Sequence, residues 1–241
     1  MKYKIINLIL FVAMVVVNYL ANAMPINGIT TGQISGLYPN LFVPAGITFS
    51  IWGVIYLLLL VFIILQFTES NGNIVKKIGW FFALTSALNA LWIFAWHYQL
   101  LLISLIIMLT LLGALILINL KLHAHPNGFI KAAFGIYLGW ICIATIANVT
   151  ALLVSINWGG WGFTQQFWAI TMILIGAAIS ALAIIKINNP FLGLSVIWAF
   201  MGIIVERQDD YLSIVITAIV GIVLVGAITI YKFTQKEGVK A

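Results

Sequence analysis

Charge is what this sequence lacks. Of 241 residues only 7% are Asp, Glu, Lys or Arg, and just five are acidic. A water-soluble domain carries roughly 25% charged residues, so a chain this poor in them cannot cover its surface against water. The shortage excludes a separate soluble catalytic or nucleic-acid-binding domain. A net charge of +6 does not restore the latter, because the eleven basic residues are spread along the chain and form no patch. Cysteine is scarcer still. The one thiol, Cys142, lies inside an apolar run, which rules out an intramolecular disulfide and fits a small core hydrophobe. Familiar chemistry is missing too: there is no zinc-protease helix motif, no nucleotide loop and no CxxC pair. With no catalytic constellation to stand on, the chain reads as a non-enzyme that requires no metal or cofactor.

What the sequence has is apolar length. Hydrophobic residues make up 64% of it, and a bilayer-spanning helix needs about 20 mostly apolar residues in a row. Eight runs qualify as candidates: Ile5–Ala23, Pro44–Leu65, Ile78–Trp96, Leu100–Leu120, Phe129–Ile156, Phe167–Ile185, Pro190–Val205 and Tyr211–Tyr231. The expected fold is therefore an all-α, polytopic transmembrane bundle of about eight spans whose chief partner is the lipid bilayer. The seventh run is the shortest and needs a thinned bilayer or snorkelling flanks to span. His97-Tyr98-Gln99 leaves room only for a tight turn between the third and fourth.

Basic residues sort by this count. Lys2, Lys4, Lys76, Lys77, Lys121, Lys131, Lys186, Lys232, Lys236 and Lys240 fall on one side, and only Arg207 on the other. The positive-inside rule then makes both termini cytoplasmic, in what is expected to be a bacterial cytoplasmic membrane. One rival reading takes the first run, ending in Ala21-Asn22-Ala23, as a cleavable signal peptide; its length favours a retained helix. The outer connections include a turn-rich segment, Met24–Val43, and an aromatic, glycine-rich one, Asn157–Gln166, whose plainest reading is an interfacial aromatic belt. Glu206, Arg207, Asp209 and Asp210 cluster in a third, as a solvated helix cap rather than a cation site. His123 and His125 make an H-x-H with no third ligand evident.

Polar and aromatic residues within the runs mark inner faces. Phe49, Trp52 and Tyr56 recur at helical spacing, as do Asn89, Trp92 and Trp96, and Tyr137, Trp140, Ala144 and Asn148. An amide in hydrocarbon must find a partner, so Asn89 and Asn148 face the bundle interior and carry their aromatic neighbours with them. These stripes either pack helix on helix or wall a chamber suited to a planar apolar ligand. A transporter is the competing reading, since Asn189-Pro190 would suit a discontinuous helix. No Asp, Glu, Lys or Arg lies mid-span, however, which leaves a facilitator of a small apolar solute rather than an ion-coupled pump.

At these residues the sequence resembles the tryptophan-rich sensory proteins, also called translocator proteins or peripheral-type benzodiazepine receptors (the TspO/MBR family). Pro44, Trp52 and Tyr56 match the family's second helix in register, with Phe49 one place late. Leu88-Asn89-Ala90-Leu91-Trp92 matches its L-N-x-x-W signature, and Tyr137, Trp140, Ala144-Thr145 and Asn148 match its fifth helix. The chain differs in having Val43 for the first of two prolines, Leu41 for the tryptophan ahead of them, Trp96-His97 for an aromatic pair and Ile136 for a proline. The resemblance covers residues 1–156 and implies a TspO-like five-helix core, followed by a three-helix extension over 157–241. It also implies a sensory or receptor-type protein binding a hydrophobic, porphyrin-like ligand, and a homodimer. By position, the ligand-binding residues would be Trp52, Tyr56, Asn89, Trp92, Tyr137, Trp140, Ala144 and Asn148.

Overall fold

A computed structural model of the protein describes residues 2–68, 72–123 and 128–235. Every regular element among them is helical: α1 (Lys2–Ala23), α2 (Thr31–Gly36), α3 (Ile51–Leu65), α4 (Gly72–Ile78), α5 (Phe81–His97), α6 (Leu101–Lys121), α7 (Gly128–Ser155), α8 (Gln165–Ile187), α9 (Phe191–Arg207) and α10 (Leu212–Thr234). The eight long helices lie where the eight apolar runs do. Leu, Ile and Val coat their outward faces, as with Ile9, Val12 and Val16 on α1 and Leu102, Ile106 and Leu109 on α6. Such a surface is solvated by lipid, not by water.

Length separates the helices further. Six helical stretches are long and apolar enough to cross a bilayer, α3 counting together with the 3-10 turn Gly46–Ser50 that leads into it, and α4 with α5, bent by 57° at the break between them, makes a seventh. The break is at Gly79, whose φ of +61° lies in the left-handed region that favours glycine. With 17 residues, α9 rises only about 25 Å, short of a roughly 30 Å hydrocarbon core. The seventh expected span is thus the one that falls short, and it packs between α7 and α10.

The longest helix, α7, forms the centre and touches α3, α6, α8 and α9. Its Gly139 is required by that crowding: a Cβ there would run into the Leu192 carbonyl and the Ser195 hydroxyl of α9. Phe62, Phe82 and Phe134 interlock from α3, α5 and α7, with ring centroids 4.9 to 5.9 Å apart. α1 packs on α5 and only lightly on α3, which leaves a gap on that side. Outermost, α10 closes over α8 and α9.

The two ends differ in charge. Lys2 sits over the Trp80 ring, Lys4 over Phe67 and Lys121 over Phe81. His123 Nδ1 meets the Ile187 carbonyl at 3.0 Å, and Lys131 donates to the His123 carbonyl at 3.4 Å. These contacts hold Lys2, Lys4, Lys121 and Lys131 at one end; Lys236 and Lys240 lie outside the described residues, as does His125 of the H-x-H pair. At the other end Arg207 donates to the carbonyls of Asn40, Leu41 and Val43. Glu206, Asp209 and Asp210 beside it are exposed, and no group of three metal-ligating side chains occurs among the described residues.

Candidate functional site

The segment entering α3 is built before the helix begins. Pro44 is followed by a 3-10 turn, Gly46–Ser50, stitched to α9 by Ala45 N–H donating to the Gly202 carbonyl at 3.0 Å and by Trp198 Nε1 donating to the Thr48 carbonyl at 2.8 Å. That anchoring fixes Phe49 and Trp52 where they face α7. Trp52 stacks on Tyr56 (5.6 Å between centroids) and meets Tyr137 and Trp140 edge to face at 5.9 and 6.1 Å. Phe49 makes a further edge-to-face contact with Trp140 at 5.9 Å. On α5, Trp92 stacks on Trp96 at 5.5 Å.

Two hollows meet at this wall. An inner cavity of about 60 Å³ is bounded by Trp52, Trp92, Trp140, Ala144 and Asn148, with Pro44 and Phe49 closing it. A lateral cleft of about 600 Å³ follows the gap beside α1, bounded by Asn18, Tyr19 and Asn22 of α1 with Trp52, Tyr56 and Trp92. Phe49, Trp52, Trp92 and Thr31 border both, so they form the partition between them.

Six of the eight expected residues therefore line one hollow or the other. The remaining two do not. Asn89 and Tyr137 lie behind the wall in a buried chain: Asn18 Nδ2 donates to Asn89 Oδ1 at 2.7 Å, and Asn89 Nδ2 to Tyr137 Oη at 3.0 Å. The amide has found its partner in neighbouring helices, tying α1, α5 and α7 together, and serves as support. Asn148 accepts from Ser104 Oγ at 3.1 Å, which holds it against α6 at the cavity edge.

The wall's polar atoms are unevenly satisfied. Trp96 Nε1 donates to the Thr31 carbonyl at 3.2 Å. Trp92 Nε1, Trp140 Nε1 and Tyr56 Oη are buried and have no hydrogen-bond partner. A buried donor left unmet costs about 1 to 3 kcal/mol, and in a bilayer no water makes good the loss. All three belong to residues that border one or both of the two adjoining hollows.

A roof covers the inner cavity. Thr31 and Ser35 of α2 border it, and α2 begins with a reciprocal cap between Thr30 and Gln33. His97, fully buried, holds this segment in place: Nδ1 meets the Ile26 carbonyl at 2.9 Å, Nε2 meets Thr31 Oγ1 at 3.0 Å, and its carbonyl accepts from Asn27. Cys142 is buried without a disulfide.

Sequence reasoning missed Asn18, Asn40 and the roof. Asn18 carried the same signal as Asn89, an amide amid hydrocarbon residues, but with Phe11 as its single aromatic neighbour at helical spacing and no tryptophan. Phe49 was visible in its stripe, and its place in the partition between the two hollows was not.

A sequence model of the family described as TSPO-like protein matches residues 4–231. The chain belongs to the TSPO-like family. The match continues past residue 156 through α8 and α9 and most of α10. Searches of curated proteins and of solved structures return no match. Membership and the apolar helices together make this TSPO-like chain an integral membrane protein.

Proposed function

We propose that this TSPO-like protein is a membrane receptor or sensor that binds a hydrophobic aromatic ligand of the porphyrin type, without catalytic turnover. The observation that carries the reading is the set of unmet donors, Trp92 Nε1, Trp140 Nε1 and Tyr56 Oη, on walls otherwise made of aromatic faces. Flat apolar walls suit a planar ring system, and the donors suit carboxylate or carbonyl oxygens on its edge. Ligand sites usually measure about 300 to 1,000 Å³. The lateral cleft is of that size, whereas the inner cavity admits a ligand only when Phe49, Trp52 and Trp92 move apart and join the two. In this proposal residues 1–156 form the binding core and 157–241 a three-helix extension. The protein sits in a bacterial cytoplasmic membrane and pairs as a homodimer.

The test is a titration of the purified protein with protoporphyrin, following tryptophan quenching. Saturable quenching is expected, weakened about tenfold or more in Trp52→Ala, Trp140→Ala and Asn148→Leu. Unchanged affinity in all three would sink the site. A second reading draws on the way the hollows adjoin: a facilitator would pass a small apolar solute along them. Solute-driven uptake into proteoliposomes, absent from empty ones, would decide for it.

A further inference from the structure

A third hollow lies at the Arg207 end, on the far side of the Asn40–Pro44 strap from the inner cavity. It measures about 270 Å³. Leu41 and Phe42 of the strap, Leu153 and Val154 of α7, and Trp158 and Trp168 of the extension give it walls. Asn40 borders both cavities, while Val43 and Pro44 face the inner one and Leu41 and Phe42 the outer. Ala147, Asn148 and Ala151 border the inner cavity and Thr150, Leu153 and Val154 the outer, so α7 presents a different side to each. The two are separate compartments with a common partition.

The loop that closes the outer cavity is held in a costly shape. Asn157 and Trp161 have φ of +52° and +53°, and Gly160 and Gly162 are left-handed as well. A tryptophan in that region is a backbone outlier that its surroundings must impose, and burial of its own ring is no compensation, since Trp161 is 78% exposed. What the shape achieves is an aromatic cluster: Trp158 lies 5.4 Å from Trp161 and 4.8 Å from Trp168. Trp168 Nε1 locks it by donating to the Gly160 carbonyl at 2.9 Å. An interfacial belt needs rings at the right depth but no such scaffold.

We propose that this outer cavity is a second binding site, for a small, neutral, planar apolar molecule. The wall's chemistry sets the class. None of its lining side chains is charged, and the polar groups of Thr150, Asn40 and Trp168 are engaged within the wall, leaving the Gln165 amide and the Trp158 indole N–H as its few polar side-chain atoms without a partner among the described residues. Thr150 Oγ1 donates to the Ala147 carbonyl, Asn40 bonds to Tyr38 and Phe42, and the Trp168 indole is engaged as described. The inner site offers unmet donors; the outer one offers aromatic surface. Its volume, below the usual range for drug-sized ligands, fits two or three fused rings.

The probe for a test is 1-aminoanthracene, added to the full chain in nanodiscs, with energy transfer from tryptophan as readout and empty nanodiscs as baseline. Saturable transfer is expected. Val154→Phe and Ala169→Leu fill the outer cavity without bordering the inner one, and each should weaken it about tenfold or more, while Trp140→Leu should leave it within about twofold. Circular dichroism and elution volume check that each variant folds, and loss in either folded variant supports the site. Absence of saturable transfer overturns the proposal, as does wild-type affinity in both filled variants, the outcome expected of probe dissolved among lipid tails. Loss in Trp140→Leu alone would move the probe to the inner cavity and overturn it too. Protoporphyrin quenching is scored separately, so failure here leaves the inner site standing or falling on its own variants.

Discussion

Tyr56 on the aromatic wall and Tyr137 behind it are both phenols with buried hydroxyls and differ by one hydrogen bond. Tyr137 Oη accepts from Asn89, whereas the buried Tyr56 Oη has no partner. Removing a satisfied buried hydroxyl is destabilising, but removing an unmet one takes away a penalty. Tyr56→Phe, which keeps the ring, is therefore expected to leave the ligand-free protein as stable or to raise its stability by up to about 1 kcal/mol. The same change should weaken ligand binding by roughly threefold to tenfold, the value of one hydrogen bond. Thermal unfolding in nanodiscs with and without protoporphyrin measures both. A variant that is less stable without ligand and binds as well as wild type would show that the hydroxyl has no ligand to meet. At this scale the lining of the candidate site was partly legible. Amides and rings repeating at helical spacing share a face of their helix, and the faces of α3, α5 and α7 bring Trp52, Trp92, Trp140 and Asn148 to one cavity. Which of them would be satisfied by a neighbour was not legible, because Asn89 meets Asn18 across 71 positions of sequence.

Among the elements, α9 is the one whose place the sequence conceals. Its apolar run looks like a short, poor span, yet it is pressed into α7 so closely that Gly139 has no room for a methyl group. Ala at that position must push α7 and α9 apart, along with the Trp198 and Ala45 bonds that anchor the strap leading to Trp52. Gly139→Ala should cost about 1 to 3 kcal/mol, the usual penalty for overpacking. Gly113 of α6 provides the contrast. Nothing lies within 4 Å of a Cβ built there, so Gly113→Ala should stabilise the helix by about 0.5 to 1 kcal/mol. Opposite shifts in the unfolding temperature are expected; destabilisation of equal size in both would refute close packing as the reason for Gly139. The eight runs were legible because hydropathy is a local property. The bend at Gly79 and the roof helix α2 were not, since a six-residue helix and a left-handed glycine are fixed by what surrounds them.

For the whole molecule, the separation of charge predicts which way the bundle faces. Lysines gather at the end where α1 begins and α10 ends, and Arg207 is the one Lys or Arg among the described residues at the other, bound to backbone carbonyls. Basic residues near short loops are retained on the cytoplasmic side, which would put both termini inside and the α2 roof and outer cavity outside. The buried, single Cys142 makes the arrangement easy to test. In a Cys142→Ala background, Gly36→Cys, exposed at the end of α2, should react with a membrane-impermeant maleimide in intact cells. Lys77→Cys, exposed at the lysine end, should react only after permeabilisation. The reverse pattern would turn the protein over. The roof and the aromatic loop would then face the cytoplasm, and a ligand reaching the outer cavity from water would have to come from inside the cell. Labelling of both sites in intact cells would mean that the lysines do not fix a single orientation.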